Sequence, residues 1–309
     1  MKWNKIGKVF EPSGEIDWMQ SHTMLPVADW VDGDIYRIYF ASRNRDNMSQ
    51  IGYVDVDMNE PTTVLNVSKF PVVELGDLGT FDDSGVFPST IVTANEKKYL
   101  YYVGWMQGER VPFYGMTGLA VSTDGGETFQ KYSRAPLLPR NEVDPYMTLS
   151  LCVMPSEDVW RMWYTSTTEC IRTSTDGTIP NYHIKYAESE DGINWNRDGI
   201  VCIDYKDKNE TRIARPRVLY DSGRYRMWYG YARGDGGYRI GYAESSDGRD
   251  WERLDEQVGI DMSACGWDSE MLAYPFVFEW EGDWYMLYNG NNYGETGFGV
   301  AILNQDLNE

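Results

Sequence analysis

Apolar and polar residues alternate along this chain in short runs, and the runs close on clusters of aromatic residues. Five clusters stand out: "YRIYFAS" ending at Ser42, "KYLYYVG" at Gly104, "RMWYTS" at Ser166, "RMWYGY" at Tyr231 and "WYMLYNG" at Gly290. Aligned on one aromatic, they bring Phe40, Tyr102, Tyr164, Tyr229 and Tyr288 into register at steps of 62, 62, 65 and 59 residues. Alternation rich in aromatic and β-branched residues is the pattern of half-buried strands. A fixed period of this length marks a repeat architecture.

Each unit predicts the same order of elements. A first strand carries small or Pro-containing apolar residues: "MLPVAD", "VFPSTIV", "TLSLCVM", "ARPRVLY" and "LAYPFVF". A hairpin turn follows, such as "VDGD" or "DSGR", then the aromatic strand. A third strand alternates again ("QIGYVDV", "GLAVST", "IKYAES", "RIGYAES", "GFGVAIL"), and a more variable fourth strand ends four of the units. Four antiparallel strands repeated five times predict an all-β, five-bladed β-propeller that takes residues 1–309 as a single domain. No long helical periodicity is present, which excludes α/β barrels and doubly wound sheets. The fifth unit lacks a fourth strand, and "WNKIGKVF" from Trp3 resembles the start of the fourth strand of unit three, "WNRDGIV" from Trp195. The N-terminal strand is therefore expected to complete blade five, close the ring and remove an exposed edge.

Two decapeptides, "YAESEDGINW" (186–195) and "YAESSDGRDW" (242–251), differ at three positions. In the corresponding place unit two has "STDGGETF" (122–129), which fits the Ser-x-Asp-x-Gly-x-x-aromatic Asp-box seen in sialidases. An Asp that caps backbone N–H groups and a Gly at positive φ make a stable turn. Asp124, Asp191 and Asp247 are thus expected to be fold punctuation between strands three and four, with Trp3 as the aromatic of the missing fifth box.

The formal net charge of −20 argues against nucleic acid as a partner. No secretory signal and no membrane-spanning apolar run is evident, so a cytoplasmic protein with no membrane partner is expected. Cys152, Cys170, Cys202 and Cys265 lack CxxC spacing and are expected to be free, buried thiols. Aromatics make up 15% of the chain, with 12 Trp and 23 Tyr, a load that suits strands and ring-stacking ligand surfaces.

Chemistry in a propeller is expected where the first strands and their preceding loops line a central funnel. All five of those loops contain acids: "GEIDWMQSH", "TFDDSG", "NEVDP", "KNETRIAR" and "CGWDSEM". The layout, carried by repeats such as "YRMWYGYARGDGGYRIGYAESSDGRDW", resembles the five-bladed propeller glycosidases, in particular glycoside hydrolase families 43, 32 and 130, over essentially the whole chain. The resemblance implies acid–base hydrolysis of a glycosidic bond in an oligosaccharide or glycoconjugate. Phosphorolysis in the family 130 manner, or carbohydrate or nucleotide-sugar binding without catalysis, stays open beside it.

Glycoside cleavage asks for two carboxyl groups. The candidates are Glu270 as proton donor, Asp83 or Glu210 as base, and Asp144, whose Asp144-Pro145 pair resembles the transition-state-supporting Asp-Pro of these families. Asp268 is a candidate for holding sugar hydroxyls. For each acid, hydroxyl binding or a solvated rim is an equal reading. The Asn-Asp-Pro-like nucleophile run of family 32 is missing, and Asp17 in "IDWMQSH" is a distant substitute, which disfavours a retaining mechanism. Basic residues are scarce, so Arg43 and Arg45, and Arg212, Arg215 and Arg217, form two clusters of note. Arg43, Arg215 and His22 are the candidates for docking a phosphate, sugar carboxylate or nucleotide-sugar. Trp105, Trp267 and Tyr274 are expected to stack on sugar rings, and Asn289 and Asn291 to touch ligand. His183 is given no role. No cofactor or metal is expected, with phosphate as co-substrate in the phosphorolytic reading.

Overall fold

A computed structural model describes residues 1–172, 177–234 and 236–304. Its strands follow in chain order as β1 (Trp3–Phe10), β2 (Ser21–Asp32), β3 (Ile35–Arg43), β4 (Ser49–Asp57) and β5 (Val64–Val67). Then come β6 (Gly85–Ala94), β7 (Lys97–Gln107), β8 (Phe113–Ser122), β9 (Gln130–Lys131) and β10 (Thr148–Met154). They continue with β11 (Trp160–Arg172), β12 (Thr178–Ser189), β13 (Val201–Ile203), β14 (Glu210–Asp221) and β15 (Arg224–Arg233). The last are β16 (Arg239–Ser245), β17 (Glu252–Arg253), β18 (Ala273–Trp280), β19 (Asp283–Asn289) and β20 (Phe298–Leu303). The fold is all-β, and among the described residues no helix is long and apolar enough to cross a membrane.

Antiparallel pairing groups the strands as β2–β5, β6–β9, β10–β13 and β14–β17, and β18, β19 and β20 are followed in their sheet by β1. Trp3 of the N-terminal strand lies opposite Leu303, and Phe10 opposite Phe298. The first strands β2, β6, β10, β14 and β18 contact one another in sequence, and β18 returns to β2. The aligned aromatics Phe40, Tyr102, Tyr164, Tyr229 and Tyr288 are all fully buried, so the periodicity in the sequence is the periodicity of the core.

The Asp-boxes are turns that fasten one strand group to the next. Asp124 accepts hydrogen bonds from the backbone of Glu127 and Thr128, and Asp191 from Ile193 and Asn194. Against desolvation, the Ser122 and Thr128 hydroxyls with these amides at Asp124, and these amides with the Asn194 and Ser189 side chains at Asp191, hold both carboxyls down to about 2. The box carbonyls of Gly126, Gly192 and Gly248 accept bonds from Tyr39, Tyr101 and Trp163 of the preceding group, each at 2.7 Å. The box aromatic then packs edge-on against the same residue: Phe129 on Tyr39 at 82°, Trp195 on Tyr101 at 74°, Trp251 on Trp163 at 87°. Trp3 meets Trp228 in the same way at 80°. No box glycine stands there, and among the described residues the buried Nε1 atoms of Trp3 and Trp228 have no hydrogen-bond partner.

All five first strands carry an irregularity in register near their middle, between Met24 and Val27, Pro88 and Thr90, Thr148 and Leu151, Ala214 and Arg217, and Ala273 and Phe276. Such bulges twist a strand and redirect its side chains. In three of them a residue before proline adopts positive φ: Leu25 (55°), Arg215 (59°) and Tyr274 (58°). That conformation costs about 1–3 kcal/mol for a non-glycine residue. All four cysteines are free, with Cys152 and Cys202 buried, Cys170 half-buried and Cys265 exposed.

Candidate functional site

The acidic loops ahead of the first strands are built on one physical pattern. Asp82, Asp144 and Asp268 accept hydrogen bonds from Tyr102, Tyr164 and Tyr288, at 2.9, 3.0 and 3.2 Å. Each also meets a cation: Lys131 at 2.6 Å from Asp82, Lys185 at 3.1 Å and Arg197 at 3.0 Å from Asp144, Lys5 at 2.6 Å from Asp268. Glu210 is held by Arg253 through bonds of 2.7 and 3.1 Å. Lys131, Arg253 and Lys5 come from β9, β17 and β1, so the N-terminal strand supplies what the fourth strands of other groups supply. Burial works to raise the Asp144 carboxyl, but Ser166, Lys185 and Tyr164 together hold it below its ordinary value. A buried carboxylate with its acceptor sites filled anchors its loop and has none left for substrate.

The structure places the acids expected at the site as follows. Asp144, Glu210 and Asp268 are buried parts of the scaffold. Asp83 is bound into its own loop, accepting bonds from the Gly79 amide and the Ser84 hydroxyl, while its neighbour Asp82 faces the blade. Glu270 is exposed, and its backbone amide donates to Asn291 Oδ1. None of these five lines the central cavity.

Other candidates also serve the fold. Trp267 stacks on Tyr288 at 5.3 Å, inside the fifth strand group. Asn289 is fully buried and ties β19 to β2, accepting from the Leu25 amide and donating to the Thr23 carbonyl. Arg215 is buried on the inner strands, where its guanidinium donates to the carbonyls of Pro26, Pro88 and Ser89. It has no carboxylate partner among the described residues, and burial lowers its pKa to about 9. The sequence marks Arg215 as basic and inner-facing, but cannot show that three backbone carbonyls already occupy it.

What remains at the centre is a cavity of about 450 Å³. Its walls are aromatic and apolar, including Phe87, Trp105, Phe113, Tyr182, Tyr238 and Tyr274. Trp105 stacks on Phe87 at 6.2 Å and 9°, and its Nε1 donates to Ser49. Tyr238, Tyr274 and Tyr293 form a ring cluster with centroids 6.0 to 6.4 Å apart. Burial pushes the phenols of Tyr182, Tyr238 and Tyr274 upward, so they remain protonated donors. Among the described residues, no protein group hydrogen-bonds to any of these hydroxyls.

The charged residues lining the cavity are Arg43 and Arg212; among the described residues it holds no Asp or Glu. Neither arginine forms an ion pair there, and the buried Nε of each has no partner. Arg212 lies over the Tyr238 ring at 5.4 Å and donates to the carbonyls of Gly234 and Gly236. His22 stands near Arg43; burial, then the Arg43 charge, lowers its imidazole to about 4, against an upward pull from Glu295. At neutral pH His22 is uncharged and Arg43 is cationic. The net field of this cavity favours an anion, and its flat walls favour a ring. Sequence inspection found Arg43, His22, Trp105 and Tyr274; it gave Arg212 only as part of a cluster and passed over Tyr182, Tyr238 and Tyr293.

No protein-family model matches the chain. It is 41% identical over 303 residues to the uncharacterized protein Rv1502 of Mycobacterium tuberculosis (strain ATCC 25618 / H37Rv), covering 98% of this chain and 99% of that one. Among solved structures it is similar to a glycoside hydrolase (TM-score 0.73, 16% identity, 96% of this chain and 90% of that chain). It is also similar to a thermostable family-43 glycoside hydrolase (TM-score 0.67, 15% identity, 96% and 91%). A third comparable structure comes from the GH130 family of mannoside phosphorylases, which contains glycoside hydrolases that target β-1,2 mannosidic linkages (TM-score 0.72, 15% identity, 98% and 94%). The chain thus belongs to the family of the mycobacterial protein Rv1502, and its fold is that of the β-propeller glycoside hydrolases.

Proposed function

We propose that the five strand groups are the blades of one five-bladed propeller domain, closed by the N-terminal strand, and that its funnel receives an anionic sugar or sugar conjugate. Support for closure comes from the β1–β20 pairing, from Lys5 beside Asp268, and from Trp3 edge-on to Trp228. One observation carries the functional reading: among the described residues, a ring-sized aromatic cavity is lined by two arginines and no acid, in a chain of net charge −20. Where 48 acidic residues outnumber 28 basic ones, keeping Arg43 and Arg212 out of ion pairs is costly unless an anionic ligand completes them. Recognition of a sugar bearing phosphate or carboxylate follows.

A second reading adds chemistry at the same place. His22, Arg43 and Glu295 interact electrostatically at the cavity edge. A phosphate held by Arg43 would be the nucleophile that phosphorolysis needs. Hydrolysis by paired carboxylates has less support, because Asp144 and Glu210 are bound into the scaffold and neither Asp83 nor Glu270 lines the cavity. The test is a ligand panel of neutral, phosphorylated and carboxylated sugars read by thermal shift, with glycoside turnover followed with and without phosphate. Anionic sugars should raise the melting temperature and neutral ones should not. Stabilisation by neutral oligosaccharides alone, with phosphate-independent turnover, would overturn the proposal.

A further inference from the structure

Beside the funnel opens a second cavity of about 400 Å³, which shares Thr178 with it. Three arginines line it, Arg110, Arg140 and Arg172, together with Tyr114 and Tyr146. Arg110 lies between β7 and β8, Arg140 in the loop before β10, and Arg172 at the end of β11. The Thr178 hydroxyl donates to the Arg110 carbonyl at 3.2 Å and joins the two hairpin loops at the border between the cavities. Arg140 is pre-positioned: its Nε donates to the Tyr146 carbonyl at 2.9 Å, and its guanidinium lies over the Tyr114 ring at 5.2 Å.

Several other surface arginines of this acidic chain find carboxylates. Arg134 pairs with Asp77, Arg224 with Glu244, Arg233 with Asp207 and Arg249 with Glu188. Among the described residues Arg110, Arg140 and Arg172 have no such partner, and no acid lines their cavity. Three guanidinium groups that have no carboxylate partner among the described residues, set around one concavity, favour a multiply charged anion. Arg43 and Arg212 line the neighbouring cavity that shares Thr178, so arginines line both.

We infer that the outer cavity is a second anion subsite, and that the ligand is a sugar linked to a diphosphate. This rests on the proposal that the funnel receives an anionic sugar. The sugar and the phosphate next to it occupy the funnel, and the distal phosphate is held by Arg110, Arg140 and Arg172. A nucleoside diphosphate sugar and a lipid-linked glycosyl diphosphate share this chemistry.

Isothermal titration with inorganic phosphate, inorganic pyrophosphate, uridine diphosphate glucose and a short prenyl diphosphate tests it on the full chain. Pyrophosphate should bind at least about tenfold tighter than phosphate, since each charge-assisted bond adds roughly that factor. The exposed double substitution Arg110→Ala/Arg172→Ala should cost pyrophosphate at least about tenfold and leave phosphate binding unchanged. Tighter binding of the uridine compound or of the prenyl compound, relative to pyrophosphate, separates a nucleotide from a lipid source. Equal affinity for phosphate and pyrophosphate, or no effect of the double substitution, overturns the inference. If Arg43→Gln weakens pyrophosphate binding and the outer double substitution does not, the funnel proposal stands while the subsite falls. If only the outer substitutions matter, the subsite stands and the funnel proposal falls.

Discussion

Replacing Asp144 with Asn separates a structural carboxylate from a catalytic one. The Asp144 side chain is fully buried, and it receives Ser166 at 2.7 Å, Tyr164 at 3.0 Å, Lys185 at 3.1 Å and Arg197 at 3.0 Å. Asn preserves the shape but removes the charge, and it turns one acceptor into a donor that faces other donors. Lys185 and Arg197, with side chains only 11% and 7% exposed, are left without a carboxylate. Breaking a buried ion pair from one side costs about 3–5 kcal/mol. In a domain of this size that lowers the melting temperature by roughly 5–10 °C. Urea unfolding should show the midpoint falling with the slope unchanged. Asp83→Asn, which alters a loop outside the cavity, should stay within about 0.5 kcal/mol of wild type. An Asp144→Asn protein as stable as wild type but devoid of turnover on an identified substrate would refute the structural assignment.

Trp3→Ala should destabilise by about 3–5 kcal/mol in the same assay, because the ring is buried against Trp228 at the junction of the chain's two ends. Trp3→Phe should recover part of the loss, and a protein indifferent to both changes would mean that the N-terminal strand does not complete the fold. His22 titrates at about 4 in the folded chain, below the ordinary value of 6.5. Between those values the unfolded chain binds more protons, so stability falls as pH drops from about 6.5 toward 4. His183, also lowered by burial, adds to this slope. His22→Gln should flatten the stability–pH curve in that window, and an unchanged curve would show that His22 titrates normally.

The repeat was legible because core aromatics cannot drift: Phe40, Tyr102, Tyr164, Tyr229 and Tyr288 keep one place in five strand groups. The Asp-boxes and the role of Trp3 were legible for the same reason, since a turn and its aromatic form a local unit. The site was not legible, because each acid's role depends on partners far along the chain. Arg197 lies 53 residues from Asp144, and Arg253 lies 43 from Glu210. In "FDDSG" the burial of Asp82 rather than Asp83 depends on a single step of loop phase. Along the first strands, alternation predicts which side chains point inward, but the bulges at Leu25, Arg215 and Tyr274 reset it. Arginine scarcity was the usable signal, and it found Arg43 while also promoting Arg215, whose donors are spent on backbone carbonyls.

The most direct test is titration of glucose and glucose 6-phosphate into wild type and into Arg43→Gln and Arg212→Gln proteins. A funnel for anionic sugars predicts that wild type prefers the phosphorylated sugar, that each substitution weakens that preference about tenfold, and that added salt weakens it further. Glucose binding as tight as glucose 6-phosphate binding, unmoved by either substitution, would contradict it.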